Sequence, residues 1–212
     1  MDIRPADDGA ASPFRTREQR AEERSAKRRA LLAAAVRMFN ERGFHATLLE
    51  DVAASLSISK PTIYHYLGNK EQVLLECIAV GLEGYWSAIE QARALNGDGL
   101  TRLRHFLHLY ALANMEDFGR CVIRTGAEPL SPEGARGFRE AKRAIDAAMR
   151  DFIEQGQADG SIASSDPKIL AFTLAGALNW PARWHVPGGE LGADEIARQM
   201  VDILTSGLAP RR

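Results

Sequence analysis

The sequence predicts an all-α chain, built as a small three-helix head followed by a larger helical body. Three observations predict it. Apolar residues recur at helical spacing along most of the 212 residues. Breaking and capping residues punctuate those stripes at Gly43, Asn96-Gly97-Asp98-Gly99, Ser131-Pro132, Gly160 and Asp166-Pro167. The stretch from Thr47 to Lys70 reads as two short helices joined by a tight turn.

Residues 1 to about 20, MDIRPADDGAASPFRTREQR, are small, charged or breaking, and a flexible basic arm is expected there. Arg15, Arg17, Arg20, Arg24, Lys27, Arg28 and Arg29 follow closely, diluted by Glu18, Glu22 and Glu23. Two readings stay open for them: a solvated helix start, or an arm on phosphates or in a minor groove. A first helix from about Arg24 to Arg42 is signalled by Leu31, Leu32, Ala35, Val36 and Phe39, and Gly43 is placed to stop it. In the next pair of helices Val52, Ala53, Leu56, Ile58, Ile63 and Tyr66 supply one buried stripe each. Thr47 is placed to cap the first of the pair with Glu50 completing a capping box, and Ser59 to cap the second with Pro61 in its first turn. The exposed side of that second helix offers Lys60, Thr62, Tyr64 and His65 and no carboxylate, which suits phosphates and base edges.

Asn69 is expected to cap a long helix running to about Leu95, with Val73, Leu74, Cys77, Ile78, Leu82 and Tyr85 on its apolar side. This helix bridges head and body, and Gly81 and Gly84 soften it. Helices follow at Leu100 to about Asn114, briefly around Cys121–Arg124, and from Pro132 to about Asp159. The segment Ile169–Trp184 is apolar around most of its girth, as expected of a helix buried on two sides, and Pro181 should kink or end it. The last helix is expected from about Ala193 to Ser206.

The formal net charge of -1 conceals an asymmetry. Residues 1–70 hold 12 Lys and Arg against 9 Asp and Glu, and residues 71–212 hold 15 against 19. A basic head on an acidic body suits phosphate contacts through one end only. Cys77 and Cys121 lie in apolar helical patterns and are expected reduced and buried, which fits a cytoplasmic protein. No apolar run approaches the roughly 18 residues of a membrane span, and the polar start is no secretory signal, so no membrane partner is expected. His105 and His108 with Cys121 imitate a metal set but sit in core-like surroundings, so no metal or cofactor is expected. No phosphate-cradling glycine loop, G-x-S-x-G elbow or H-E-x-x-H pair is present, and the chain is not expected to be an enzyme.

The run GFHATLLEDVAASLSISKPTIYHYLGNKEQVL resembles the DNA-binding signature of the TetR family of bacterial one-component regulators. The likeness is close over about residues 24–75 and is a matter of helical layout beyond. Leu48 stands where the family often has Thr or Ser, Leu67 where Phe is usual, and Ser57 at a turn where Gly is common. A left-handed backbone at Ser57 should cost on the order of 1 kcal/mol. The resemblance implies a helix-turn-helix DNA-binding domain at 21–70 and a helical ligand-binding and dimerisation domain at 71–212. It implies that Lys60, Thr62 and His65 face base edges, that Pro61 touches a thymine methyl, and that Thr47, Tyr64, Tyr66 and Lys70 hold phosphates.

A helix apolar on two sides needs two partners, and the resemblance makes the second one another copy of the chain. Family members dimerise through their last two long helices, which places Phe172, Leu174, Leu178, Ile196, Met200, Ile203 and Leu204 at the seam. Two recognition helices about 34–36 Å apart then read a palindromic operator. The function expected is a ligand-responsive repressor released by a small, largely apolar effector, with Trp86, Phe106, Tyr110, Met115, Phe118, Phe138, Trp180 and Trp184 lining its pocket. The ending WHVPGGELGADEIARQMVDILTSGL resembles members that sense acyl-CoA compounds. The alternative is a DNA-bound tether whose body recruits a protein. An apolar cavity of roughly 300–1,000 Å³ in the body separates the two.

Overall fold

The structure is a computed structural model that describes residues 17–207. Most of the expected basic arm, Arg15 included, lies outside the described residues. The remainder of it, Arg17–Arg20, already belongs to the first helix, α1 (Arg17–Arg42). Among the described residues the secondary structure is entirely helical.

In the head, α1 buries Leu31, Leu32, Ala35, Val36 and Phe39 against α2 (Leu49–Ser55) and α3 (Lys60–Leu67). Val52 and Ala53 of α2 meet Ile63 and Leu67 of α3 in the fully buried crossing. The chain turns between them at Ser57 with φ 55°, the left-handed conformation that favours glycine. Two expected caps are not formed. Thr47 is 0 % exposed, and its hydroxyl donates to the Gly43 carbonyl at 2.8 Å rather than to the start of α2. Leu48 occupies that N-cap position, and the Ser59 hydroxyl pairs with Thr62 Oγ1 at 2.8 Å instead of a backbone N–H.

Asn69 opens α4 (Lys70–Ala94) with the reciprocal pair expected of a good N-cap: its Oδ1 accepts from Gln72 N–H at 2.9 Å, while Gln72 Oε1 accepts from Asn69 N–H at 2.9 Å. The body then comprises α5 (Gly99–Met115), α6 (Asp117–Thr125), α7 (Pro132–Ala158), α8 (Pro167–Asn179), α9 (Pro181–Trp184) and α10 (Ala193–Thr205). Pro181 ends α8 as expected, because its ring and missing N–H disrupt the helical ladder. Helix α4 packs on α5, α6 and α7, and α6 in turn packs on α1, so the head is seated on the body through two helices. Gly81 makes the α4–α6 approach possible: a Cβ there would lie 2.6 Å from the Phe118 carbonyl oxygen. That glycine is a packing requirement, not a soft point in the helix.

Helix α8 is buried along Ala171, Leu174 and Leu178, while Ile169, Phe172 and Trp180 are exposed on its other side. Three expected seam residues are therefore corrected. Leu174, Leu178 and Ile196 are buried in the core of the single chain, because α8 and α10 each turn one apolar stripe towards α5. Met200 and Leu204 are half-buried against the same core, and only Phe172 (53 % exposed) and Ile203 (73 %) of the expected set point outward.

Candidate nucleic-acid interface and effector cavity

The α3 helix presents Lys60, Pro61, Tyr64 and His65 to solvent, with Thr62 partly covered. Thr47 is removed from the expected contact set by its burial, its hydroxyl being committed to Gly43. Tyr66 is half-buried against the head core, with its ring 5.4 Å from the His65 ring in an edge arrangement. Lys70 is partly drawn inward: its ammonium donates to the His45 carbonyl at 3.2 Å and lies 4.3 Å from the centre of the Phe44 ring. Desolvation there lowers the lysine's pKa from its ordinary value.

A carboxylate sits beside this surface after all. Glu50, freed from its expected capping role, reaches across from α2 to α3, where it pairs with Lys60 at 2.6 Å and accepts from the Tyr64 hydroxyl at 3.2 Å. The hydrogen bond from Lys60 holds the Glu50 carboxyl below its usual range, and Glu50 raises Lys60 in return. The sequence signal was present: Glu50 stands in the first turn of one helix and Lys60 in the first turn of the next, and a steep crossing brings the two together.

Behind the head, Arg28 of α1 donates to the Tyr66 carbonyl at the end of α3 and pairs with Glu76 of α4, with Nε to Oε2 at 3.1 Å. One guanidinium thus joins the recognition helix to the bridging helix. Asn40 of α1 donates to the Asp117 carbonyl at 2.8 Å, a second tie from head to body.

The body holds a half-open cavity of about 400 Å³ between α4, α5, α6, α7 and α8. Its wall is largely apolar, with Tyr85, Tyr110, Val122, Ile145, Met149 and Phe172 prominent. Of the eight expected pocket residues only Tyr110 lines it. Phe106, Met115 and Phe138 are buried in solid core; the Phe106 ring, for example, packs 5.5 Å from that of Phe152. Phe118 is half-buried, with its backbone against Gly81, and Trp86, Trp180 and Trp184 are exposed on the surface. Phe106 and Phe138 fill the joints between helices, and the void opens beside them, walled by Tyr85, Tyr110 and Phe172 together with smaller apolar side chains.

A polar chain runs along the cavity's inner side. Tyr85 donates to Asn114 Oδ1 at 2.6 Å; Asn114 Nδ2 donates to the Leu178 carbonyl at 2.9 Å and to Asn179 Oδ1 at 3.2 Å; Tyr110 donates to Asn179 Oδ1 at 2.7 Å. The Leu178 carbonyl only accepts, which fixes the orientation of both amides and leaves the Asn179 NH₂ at the cavity wall. Burial raises the Tyr85 hydroxyl pKa and pushes that of Tyr110 up to about 12, so both remain donors. Asn114 and Asn179, polar residues within apolar stripes, were the sequence signal for this site.

The imitation metal set does not converge. His108 pairs with Asp194 at 3.0 Å, whereas Cys121 is buried elsewhere beside Thr125. Among the described residues no helix is long and apolar enough to cross a membrane.

A helix-turn-helix head carried on a cavity-bearing helical body defines a DNA-binding regulator. Residues 31–77 match the bacterial regulatory proteins of the tetR family, and residues 96–208 match the tetracyclin repressor-like C-terminal domain. The chain belongs to the TetR family of transcriptional regulators. It is 26 % identical over 187 residues to the HTH-type transcriptional repressor KstR2 of Mycolicibacterium smegmatis, covering 87 % of this chain and 91 % of that one. The crystal structure of the regulator PfmR from Thermus thermophilus superposes with a TM-score of 0.75 at 29 % identity, covering 85 % of this chain and 99 % of that one. AibR, solved in complex with isovaleryl coenzyme A and operator DNA, shares the fold with a TM-score of 0.74 at 24 % identity, over 83 % of this chain and 96 % of that one.

Proposed function

We propose that this protein is a cytoplasmic, ligand-responsive repressor that binds a palindromic operator as a homodimer and leaves it when a small effector fills the body cavity. One observation carries the reading: the bridging helix α4 supplies Tyr85 to the cavity wall and Glu76 to the Arg28 pair that holds the end of α3. A ligand that moves α4 therefore acts on the recognition helix through named contacts. The cavity also falls within the size range of small-molecule sites, which favours a sensor over a protein-recruiting tether. Lys60, Pro61, Thr62 and His65 read base edges in the major groove, while Tyr64 holds a phosphate. The second copy covers Ile169 and Phe172 of α8, Trp180 just beyond its end and Ile203 of α10, an exposed apolar row that a soluble monomer has reason to bury.

The test is selection of duplexes from a random pool by the purified protein, followed by sequencing. A two-fold symmetric consensus with half-sites one helical turn apart, or a multiple of it, is expected. Recovery of no preferred sequence, or of a single asymmetric half-site, overturns the reading.

A further inference from the structure

The cavity has an electrostatic mouth that its apolar wall does not require. Lys142 and Arg143 of α7 both line it and are both exposed, and neither forms an ion pair among the described residues. Lys142 instead lies 5.4 Å from the centre of the Phe138 ring. The acid in the same wall, Asp146, is already matched by Arg150 at 2.9 Å. Arg139 and Arg136 lie one and two turns nearer the start of α7, likewise exposed, with the exposed Glu140 the one acid among these four cations. Two unmatched cations at the rim of an apolar hole form a receptor for one kind of molecule.

We infer that the effector is an amphiphilic anion: an apolar chain or ring system that fills the cavity, ending in a carboxylate or phosphate held by Lys142 and Arg143. This inference rests on the cavity being the effector site. A neutral hydrophobe would gain only burial there. An anion also gains charge-assisted hydrogen bonds, and a guanidinium suits either oxyanion through its fork of donors. The Asn179 NH₂ adds a neutral donor on the inner wall, suited to a carbonyl or ether oxygen along the ligand body.

The experiment is titration calorimetry on the full chain with three probes of one chain length: decan-1-ol, decanoate and decyl phosphate. Wild type should bind either anion roughly ten- to hundredfold more tightly than the alcohol, the ratio expected of a charge-assisted hydrogen bond. The Lys142→Gln/Arg143→Gln double variant should abolish that ratio while leaving decan-1-ol affinity unchanged, and Arg143→Lys should restore part of it. Both side chains are exposed, so the thermal midpoint should not move. The carboxylate and phosphate arms show which oxyanion is preferred. Equal affinity for alcohol and anions overturns the anionic class but leaves the cavity as an effector site. No binding of any probe removes the site itself and the inference with it.

Discussion

Tyr85 on the bridging helix donates its hydroxyl hydrogen to Oδ1 of Asn114 on α5, 2.6 Å away, with both side chains buried. Asn114 passes the connection to α8 through the Leu178 carbonyl and Asn179. Three helices around the cavity are thus joined through one side-chain amide.

Tyr85→Phe removes the donor and leaves the buried Asn114 Oδ1 without its partner, so the protein should lose roughly 1–3 kcal/mol of stability. Urea unfolding checks it: the midpoint should fall with the slope unchanged. A midpoint equal to wild type would mean that Asn114 finds another donor and that the chain of amides is not structural.

The two glycines of α4 should separate cleanly. Gly81→Ala places a methyl 2.6 Å from the Phe118 carbonyl and 2.7 Å from Val122 Cγ2, so α6 must move, at a cost of roughly 1–3 kcal/mol. At Gly84 the nearest atom is Ala113 Cβ at 3.4 Å, and Gly84→Ala should be neutral or stabilising by up to about 1 kcal/mol through helix propensity. Thermal midpoints of the two single variants decide this; equal shifts would contradict the packing.

The head was legible in the sequence because local rules determine it. The crossing at Ala53 and the cap at Asn69 each follow from residues within a few positions of one another, whereas the left-handed turn at Ser57 was legible only through the family resemblance, in which Gly is common there. The Thr47 cap failed because a competitor outside α2 prevailed: the hydroxyl is more valuable inside the head, where the Gly43 carbonyl needs a donor. The cavity was legible only as a class of feature. Its position depends on how α7 and α8 pack on α5 and on each other, and that is a packing outcome with no periodic signature. Large aromatics therefore misled, since Phe106 and Phe138 fill space and Trp180 and Trp184 face outward. The apolar pattern marked α8 as a helix with two apolar sides, but not which stripe faces inward, because Leu174 and Phe172 stand on opposite sides of an equally apolar helix.

Glu50 holds Lys60 and Tyr64, two of the groups proposed to meet DNA. Replacing it with Gln keeps the shape and removes the charge, so Glu50→Gln should strengthen binding to operator and to random duplex alike, severalfold at low salt. The salt slope should steepen by about one, as the carboxylate that offsets one positive charge of this surface is removed. Fluorescence anisotropy across a salt series measures both. Gain on operator alone would instead make the Glu50 pair a base-reading element, and loss on both would make Glu50 a positioning residue for Lys60.

Assembly can be tested through the difference between two near neighbours on α8. Phe172 is exposed and Leu174 is 1 % exposed, so a charge should have opposite consequences at the two positions. Phe172→Glu or Ile203→Glu puts a carboxylate where the second copy is proposed to dock. It should yield a folded monomer by light scattering, with a wild-type far-UV spectrum and operator affinity collapsed to that of a single head. Leu174→Glu buries an unpaired carboxylate in the protomer's own core, a desolvation cost that a domain of ordinary stability does not survive intact. It should give an unfolded or aggregated chain, not a monomer. Phe172→Glu and Ile203→Glu both remaining dimeric would remove α8 and α10 from the seam, and a folded Leu174→Glu monomer would place the seam on the stripe that the structure buries.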